Sequence, residues 1–349
     1  MKKTSKLLAL LLALAMTLSL AACSNSSGGD SSQAPESTAP AGESAAPSQA
    51  AEPAGGESYS VGICQLLPHP ALNQATEGFK DALTAAFGEA VHFEEGNAGG
   101  DPANCATIID GFVSSNVDLI LANATPSLTA AASATNTIPI LGTAVTNYGI
   151  ALNLDTTEDK VLGGNISGTS DLAPLDQQAD MVKELFPDAK NVGLLYCTAE
   201  ANSVYQIETV QGFLEGMGYT CKRYGFNDVN DLSAVTQTAA AESDVIYIPT
   251  DNTAADNAST IADVVIPAKV PVIAGEEGIC GGCGVATLSI SYYEIGQIAG
   301  EMAVQILKGE KSVSEMAIGF DTTLDKKYNP SICEQLGLTM PEDYVAIEG

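Results

Sequence analysis

From Tyr59 to Ala274 the chain repeats one rhythm twice: short apolar runs alternate with longer stretches whose apolar residues recur at helical spacing. The first set of strand candidates is Ser60–Leu66, Val91–Glu95, Asp118–Ala122 and Ile138–Leu141. The second is Asn191–Tyr196, Thr220–Phe226, Asp244–Ile248 and Val270–Ala274. Most of these runs are continuously apolar, the pattern of parallel strands covered on both faces. Between them, Leu72, Ala75, Phe79, Ala82, Leu83 and Ala86 form one helical stripe, and Cys105, Ile108, Ile109, Phe112 and Val113 another. Asp101-Pro102 and Thr125-Pro126 each pair a capping side chain with a proline suited to the first helical position.

Strand–helix alternation of this kind predicts an α/β protein with doubly wound parallel sheets, and two sets predict two lobes around a hinge cleft. The run Gly163-Gly164-Asn165-Ile166-Ser167-Gly168-Thr169 reads as the join. A long helix over Tyr292–Leu307 is expected to return to the first lobe, and the tail from Asp321 to finish the second. Lobe 1 is then 58–168 plus 291–320, and lobe 2 is 169–290 plus 321–349. About 290 residues is ample for two cores.

The N-terminus predicts where such a protein works. Lys2, Lys3 and Lys6 precede an apolar run from Leu7 to Leu20, too short to span a bilayer stably and ending in small residues, as an export signal does. Leu20-Ala21-Ala22-Cys23 is a lipobox pattern and resembles bacterial lipoproteins, in which the cysteine is acylated and becomes residue one. The expectation is a signal peptide over 1–22, lipidation at Cys23, and an extracytoplasmic chain whose only membrane contact is its lipid anchor. The stretch 23–57 is built almost wholly of Ser, Ala, Pro, Gly, Glu and Gln and reads as a disordered tether.

The formal net charge of −29 grows more negative once the three signal lysines leave, which disfavours nucleic acid and anionic lipid as partners. Of eight cysteines, seven remain after lipidation; an odd number excludes a full disulfide framework and predicts mostly small buried hydrophobes.

In open parallel sheets, ligands bind beyond the carboxyl ends of the strands. That rule selects Gln65 and His69 after the first strand, Thr125 and Ser127 after the third, and Thr143 after the fourth. The second set contributes Glu200, Asn202 and Ser203, then Thr250, Asp251 and Asn252, then Glu276 beside Glu277; the join adds Ser170 and Asp171. Each has a plain structural reading too. Thr125 and Ser203 suit helix caps, Asp251-Asn252 suits a turn, and Glu276-Glu277 suits a solvated loop. Together they describe a polar cleft without Lys or Arg, fit for a neutral or zwitterionic solute. An amino acid matches: its carboxylate at the Thr125-Pro126-Ser127 helix start, its ammonium on one of Asp171, Glu200, Asp251 or Glu276. Saccharides and nucleosides would accept the same groups.

Enzymatic readings find little support. The chain has no G-x-S-x-G, Walker A or strand-following G-x-G-x-x-G element, and its two histidines, His69 and His92, supply no histidine-rich metal site. No cofactor is expected. Cys280-Gly281-Gly282-Cys283 reads as a loop with incidental thiols or a local disulfide, since glycines surround it and no second pair completes a zinc site.

The chain resembles a known family, the ABC-importer substrate-binding lipoproteins of tryptophan and tyrosine uptake. The resemblance is carried by Val61-Gly62-Ile63-Cys64-Gln65, His69-Pro70-Ala71-Leu72, Asn97-Ala98-Gly99-Gly100-Asp101, Ala124-Thr125-Pro126 and Ala144-Val145-Thr146. It continues through Gly168-Thr169-Ser170-Asp171, Glu200-Ala201-Asn202-Ser203, Pro249-Thr250-Asp251-Asn252 and Ala274-Gly275-Glu276-Glu277. It implies a type I periplasmic-binding fold, an aromatic amino acid in the hinge cleft, and ABC permease and ATPase subunits as partners. Departures are Asn73 for the usual Asp, Asn147-Tyr148 for the usual Asp-Pro, and no Lys in Ile279–Cys283. Tyr148 reads equally as a stacking partner for an aromatic ligand or as a pocket filler. Other uses of such a chain are capture of a nucleoside or sugar, or an exported sensor or adhesin.

Overall fold

The computed structural model describes residues 58–154 and 161–347; the signal peptide, Cys23 and the tether expected above lie outside the described residues. The chain enters through β1 (Tyr59–Gln65), α1 (Pro70–Phe87), β2 (Val91–Asn97), α2 (Pro102–Ser115), β3 (Leu119–Asn123), α3 (Thr125–Ala134), β4 (Ile140–Val145), α4 (Tyr148–Leu152) and β5 (Ile166–Ser170). It continues with α5 (Leu175–Leu185), β6 (Asn191–Cys197), α6 (Ala201–Gly216), β7 (Thr220–Phe226), α7 (Val229–Glu242), β8 (Val245–Ile248), α8 (Asn252–Asp256) and α9 (Ala258–Ala268). The last part is β9 (Val272–Ala274), α10 (Glu277–Cys283), β10 (Ala286–Ser289), α11 (Tyr292–Leu307), β11 (Gly319–Phe320), β12 (Asp325–Tyr328), α12 (Pro330–Leu336) and β13 (Val345–Ala346).

These elements build two sheets. The first has the order β11-β5-β4-β3-β1-β2, all parallel; the second, β13-β12-β10-β9-β8-β6-β7, is parallel except where β12 runs against β10. The chain passes between the sheets three times, after Ser170, after Ser289 and after Phe320. The α/β class with two doubly wound lobes is as the sequence predicts. The join reads differently in one respect: Ile166–Ser170 is a strand of the first sheet, paired with β4 on one side and β11 on the other. Its Gly, Ser and Thr residues hide it from any apolar-run criterion.

Both faces of each sheet are covered, and the residues show why the runs lack alternation. In β3, Leu119 and Leu121 pack on one face with Phe79 and Leu83 of α1, while Ile120 and Ala122 pack on the other with Ile109 of α2 and Leu128 of α3. Register repeats this across strands: Ile63, Leu121 and Leu141 lie side by side and share one cluster. In β8, Val245 and Tyr247 face one core and Ile246 and Ile248 another. Each fully buried aliphatic side chain contributes roughly 1.5–3 kcal/mol.

The tightest packing joins α11 to α1. A Cβ placed on Gly78 would lie 2.2 Å from the Tyr293 carbonyl oxygen, and one on Gly296 2.2 Å from the Ala75 carbonyl oxygen. The two backbones approach closely only because glycine stands at both positions. Gly296→Ala is expected to force the helices apart and to destabilise the chain by about 2–3 kcal/mol. Urea unfolding followed by circular dichroism checks this, and a loss under 0.5 kcal/mol would refute the steric account.

Candidate functional site

The strand ends of both sheets converge on the space between the lobes, and the structure assigns each sequence-selected residue a place there or behind it. Gln65 closes β1. Its Nε2 donates to the Leu67 carbonyl at 2.9 Å and to Asn73 Oδ1 at 2.7 Å, and its Oε1 accepts from Thr76 at 2.7 Å. Asn123, at the end of β3, donates to the Leu72 carbonyl and to Thr76. This polar knot fixes the start of α1 against two strands, and Asn73 takes part in it.

Ser127 turns away from the cleft, its hydroxyl 3.7 Å from Cys64 Sγ and 3.5 Å from Cys105 Sγ. Thr143 lies within β4, which runs four residues past the predicted end at Leu141 and bulges between Gly142 and Val145. Its hydroxyl meets that of Thr169 at 3.1 Å. Ser170 donates to the Thr146 carbonyl and accepts from the Leu172 N–H, pinning the first crossing. Tyr148 resolves to a filler: its hydroxyl donates to the Thr169 carbonyl at 3.1 Å and occupies the space that Cβ atoms at Gly142 and Gly168 would need.

Thr125 is the first residue of α3. The cap position before it is Ala124, held at φ 90° with no side chain to receive the helix N–H groups. A non-glycine residue in that region is strained, and such strain gathers at functional sites. Pro126 brings no N–H, so the start of α3 presents donors at Thr125 and Ser127. A cavity of about 450 Å³ beside this start is lined by Thr125, Pro126 and Thr129 of α3 and by Ala199 and Ala201 from the second lobe.

The second lobe carries the acids, and three are heavily engaged. Asp251 caps α8, accepting from Ala254 N–H at 2.8 Å and from Cys197 N–H at 2.6 Å. Glu276 caps α10 by accepting from the N–H groups of Gly278 and Ile279. Glu200 accepts from the backbone and side chains of both Asn252 and Thr253, and from Asn202 Nδ2. Asn202 also reaches the Thr250 carbonyl, and Ser203 lies beside it at 3.3 Å. The Thr250 N–H donates to Gln206, and its hydroxyl to the Gly275 carbonyl.

Asp171 differs. At the first crossing between lobes it accepts from two hydroxyls, Thr146 Oγ1 and Tyr292 Oη, each at 3.0 Å. Sequence reasoning passed over both donors. Tyr292 is legible only as the first residue of α11, and nothing local places it against the crossing. Burial raises Asp171 to about 6, the two hydroxyl bonds pulling the other way. Burial likewise raises Glu276 to about 7 against its backbone bonds. Asp251 is also raised, by burial first and by the neighbouring Glu200 charge second. Asp171, Glu200, Asp251 and Glu276 are all buried, and among the described residues no lysine or arginine is. Tyr292 and Glu276 line a second interlobe cavity of about 430 Å³, together with Pro70 and Gln74 of α1 and Asp256 of α8.

His69 precedes α1 and reaches across the cleft, its Nε2 3.2 Å from Asn252 Oδ1. Cys280 and Cys283 correct the loop reading: they lie in α10, buried, and all seven cysteines of the described residues are free thiols. Burial raises both thiols, which holds them as inert SH groups. Among the described residues no helix is long and apolar enough to cross a membrane, and no group of His, Cys, Asp or Glu is placed to hold a metal ion.

Comparison with known proteins shows the family and the fold. The profile of the ABC transporter substrate-binding proteins matches residues 60–347. A tyrosine-binding protein of Clostridioides difficile is 35% identical over 273 residues, covering 76% of each chain. A structure from Streptococcus pneumoniae in complex with L-Trp superposes with a TM-score of 0.77 at 28% identity, over 82% of this chain and 97% of that one. The ligand-free, open structure of a substrate-binding protein with adhesive properties from Clostridium difficile gives 0.64 at 34% identity, over 83% and 99%. The fold is the type I periplasmic-binding fold.

Proposed function

The chain belongs to the ABC transporter substrate-binding protein family, and from that premise we propose that it is an extracytoplasmic lipoprotein that captures an aromatic amino acid between its lobes. The family consists of binding proteins, not enzymes. In this reading Cys23 carries the lipid, 23–57 tether the lobes above the membrane, and the closed form is presented to a permease and its ATPase.

The observation that carries the ligand class is the charge inventory of the cleft: four buried acids, no buried lysine or arginine among the described residues, and the start of α3 left without a capping side chain. Such a site favours a ligand with a cation and an anion of its own. The kind of donor then separates the acids. Glu200, Asp251 and Glu276 spend their oxygens on backbone N–H groups. The side chains that donate to Asp171 are hydroxyls, which rotate and leave room for an ammonium group. The ligand carboxylate goes to the start of α3, where N–H donors and the helix dipole favour an anion. Gln65, His69, Ser170, Asn202, Ser203, Thr250 and Asn252 build the frame that holds these two poles. The relatives named for tyrosine and solved with L-Trp support an aromatic side chain.

A thermal-shift screen of all amino acids, several nucleosides and common sugars tests the ligand class. L-Tyrosine or L-tryptophan is expected to raise the unfolding midpoint, since a ligand at 100 times its Kd stabilises by about 2.7 kcal/mol. A shift with a nucleoside or sugar and none with any aromatic amino acid would remove this reading.

A further inference from the structure

Resting on the reading of Asp171 as the partner of the ligand's ammonium group, we infer that Tyr292 is a positioning residue for that acid. Its hydroxyl aims the Asp171 carboxylate, and the preference of the site for an amino group over a ligand lacking one depends on it.

Asp171 stands at the first crossing, directly after β5. Its two oxygens are held from different parts of the chain. Thr146, just past β4, donates to Oδ1, and Tyr292, the first residue of α11, donates to Oδ2, each at 3.0 Å. The last torsion of an aspartate side chain is soft, with broad minima. One placed donor on each oxygen fixes it, setting the plane of the carboxylate as well as its direction. Each oxygen still has lone-pair capacity for an ammonium N–H. With Oδ2 released, the group turns about that torsion, and the charge is no longer presented in one place.

The phenol is well anchored for this task. Its ring is buried in the apolar cluster that includes Ala71, Ala173 and Ile290. The start of its helix is fastened too: Ser291 caps α11 by accepting from the Glu294 N–H at 3.3 Å, while the Ser291 N–H donates to Asp321 Oδ2 at 2.8 Å. One turn on, Gly296 lies against the Ala75 backbone. Ser291 and Tyr292 therefore join all three crossings: Asp321 at the third, their own at the second, and Asp171 at the first. The hydroxyl proton rotates, but Oη stays where the helix puts it. A ring that only filled space would be matched by phenylalanine; the hydroxyl alone reaches the acid. A charged group supported from a packed helix in this way is preorganised for its ligand.

The test is calorimetric titration of the full chain at pH 7.5 with L-tyrosine, L-tryptophan and the des-amino analogue of each. Tyr292→Phe is expected to weaken binding of both amino acids about tenfold, as loss of a hydrogen bond to a charged group does, and to leave the analogues almost unchanged. In an Asp171→Asn background the same substitution should change neither, because the hydroxyl has no charge left to aim. Tyr293→Phe removes the next hydroxyl along α11, whose partner is Asp81 of α1, and should bind as the wild type does. 3-Fluorotyrosine at position 292 keeps ring and hydroxyl and serves even where Tyr292→Phe fails to fold: its fluorine resonance should move further with each amino acid than with its analogue. A loss shared equally by amino acids and analogues, no loss, a loss matched by Tyr293→Phe or repeated in full beside Asp171→Asn, or a fluorine resonance that answers both ligands alike would overturn the role of Tyr292 and leave the ligand reading intact. A wild type that binds no aromatic amino acid, or binds it no better than its analogue, overturns the reading of the site, and the role of Tyr292 with it.

Discussion

Asp171→Asn is expected to lower the affinity for L-tyrosine and L-tryptophan about 100-fold at pH 7.5 and to leave the melting temperature of the ligand-free chain almost unchanged. The first half follows from the loss of a buried charge partner, where removing one member of a desolvated pair costs about 2–5 kcal/mol. The second follows from the donors. Thr146 and Tyr292 present hydroxyls to Asp171, and an asparagine can accept from one while donating to the other after that hydroxyl rotates. The unliganded protein also gives up a carboxyl that burial has already raised to about 6. Isothermal titration against each amino acid and its des-amino analogue isolates the ammonium. The wild type should prefer the amino acid strongly, and Asp171→Asn should bind the two nearly alike. An unchanged preference would show that the ammonium lies elsewhere, with the charge inventory of the cleft still to be satisfied by another acid.

Glu200→Ala is expected to act on the fold. Glu200 gathers two backbone N–H groups, the side chains of Asn252 and Thr253, and Asn202 Nδ2. Truncation leaves these buried donors without an acceptor, which costs about 3 kcal/mol or more. For a chain of this size that lowers the melting temperature by roughly 6–12 °C. Glu200→Gln keeps part of the acceptor set and should recover about half of the loss. Differential scanning calorimetry of both variants decides the matter. A Glu200→Ala chain that melts with the wild type would mean that the carboxylate serves the ligand alone. The contrast with Asp171 is the useful result, because both are acids that the strand-end rule selects alike.

That contrast marks the limit of the sequence. The fold was legible wherever strands are apolar on both faces, as in Leu119–Ala122, and wherever caps announce helices, as at Asp101-Pro102. It was illegible where tertiary pairing overrides composition. Ile166–Ser170 forms a strand because β4 and β11 flank it. Cys280-Gly281-Gly282-Cys283 stays helical because Glu276 caps the helix and the fold buries both thiols. For the site, the strand-end rule found every acid, but caps and candidate ligands obey the same rule. Separating them took the kind of donor on each carboxylate, backbone N–H or side-chain hydroxyl, a tertiary quantity. Ser127 illustrates the other side of this: its spacing points to the cleft, and packing points it at Cys64 and Cys105. Tyr292 and Thr146 were missed since their partner, Asp171, is 121 and 25 residues away along the chain.

The return of α11 to α1 bears on how the molecule is made. The first sheet is nearly complete once Ser170 has been synthesised, yet the helix that covers Phe79 and Leu83, and the edge strand beside β5, arrive only with residues 292–320. Until then part of an apolar core and an unpaired edge stay open while most of the second lobe is threaded out. Pairings that wait for so distant a segment form slowly and leave the nascent chain prone to self-association. A protein wired in this way has reason to emerge under the care of a chaperone, its first lobe closing only after strands β6 to β10 of the second have been made.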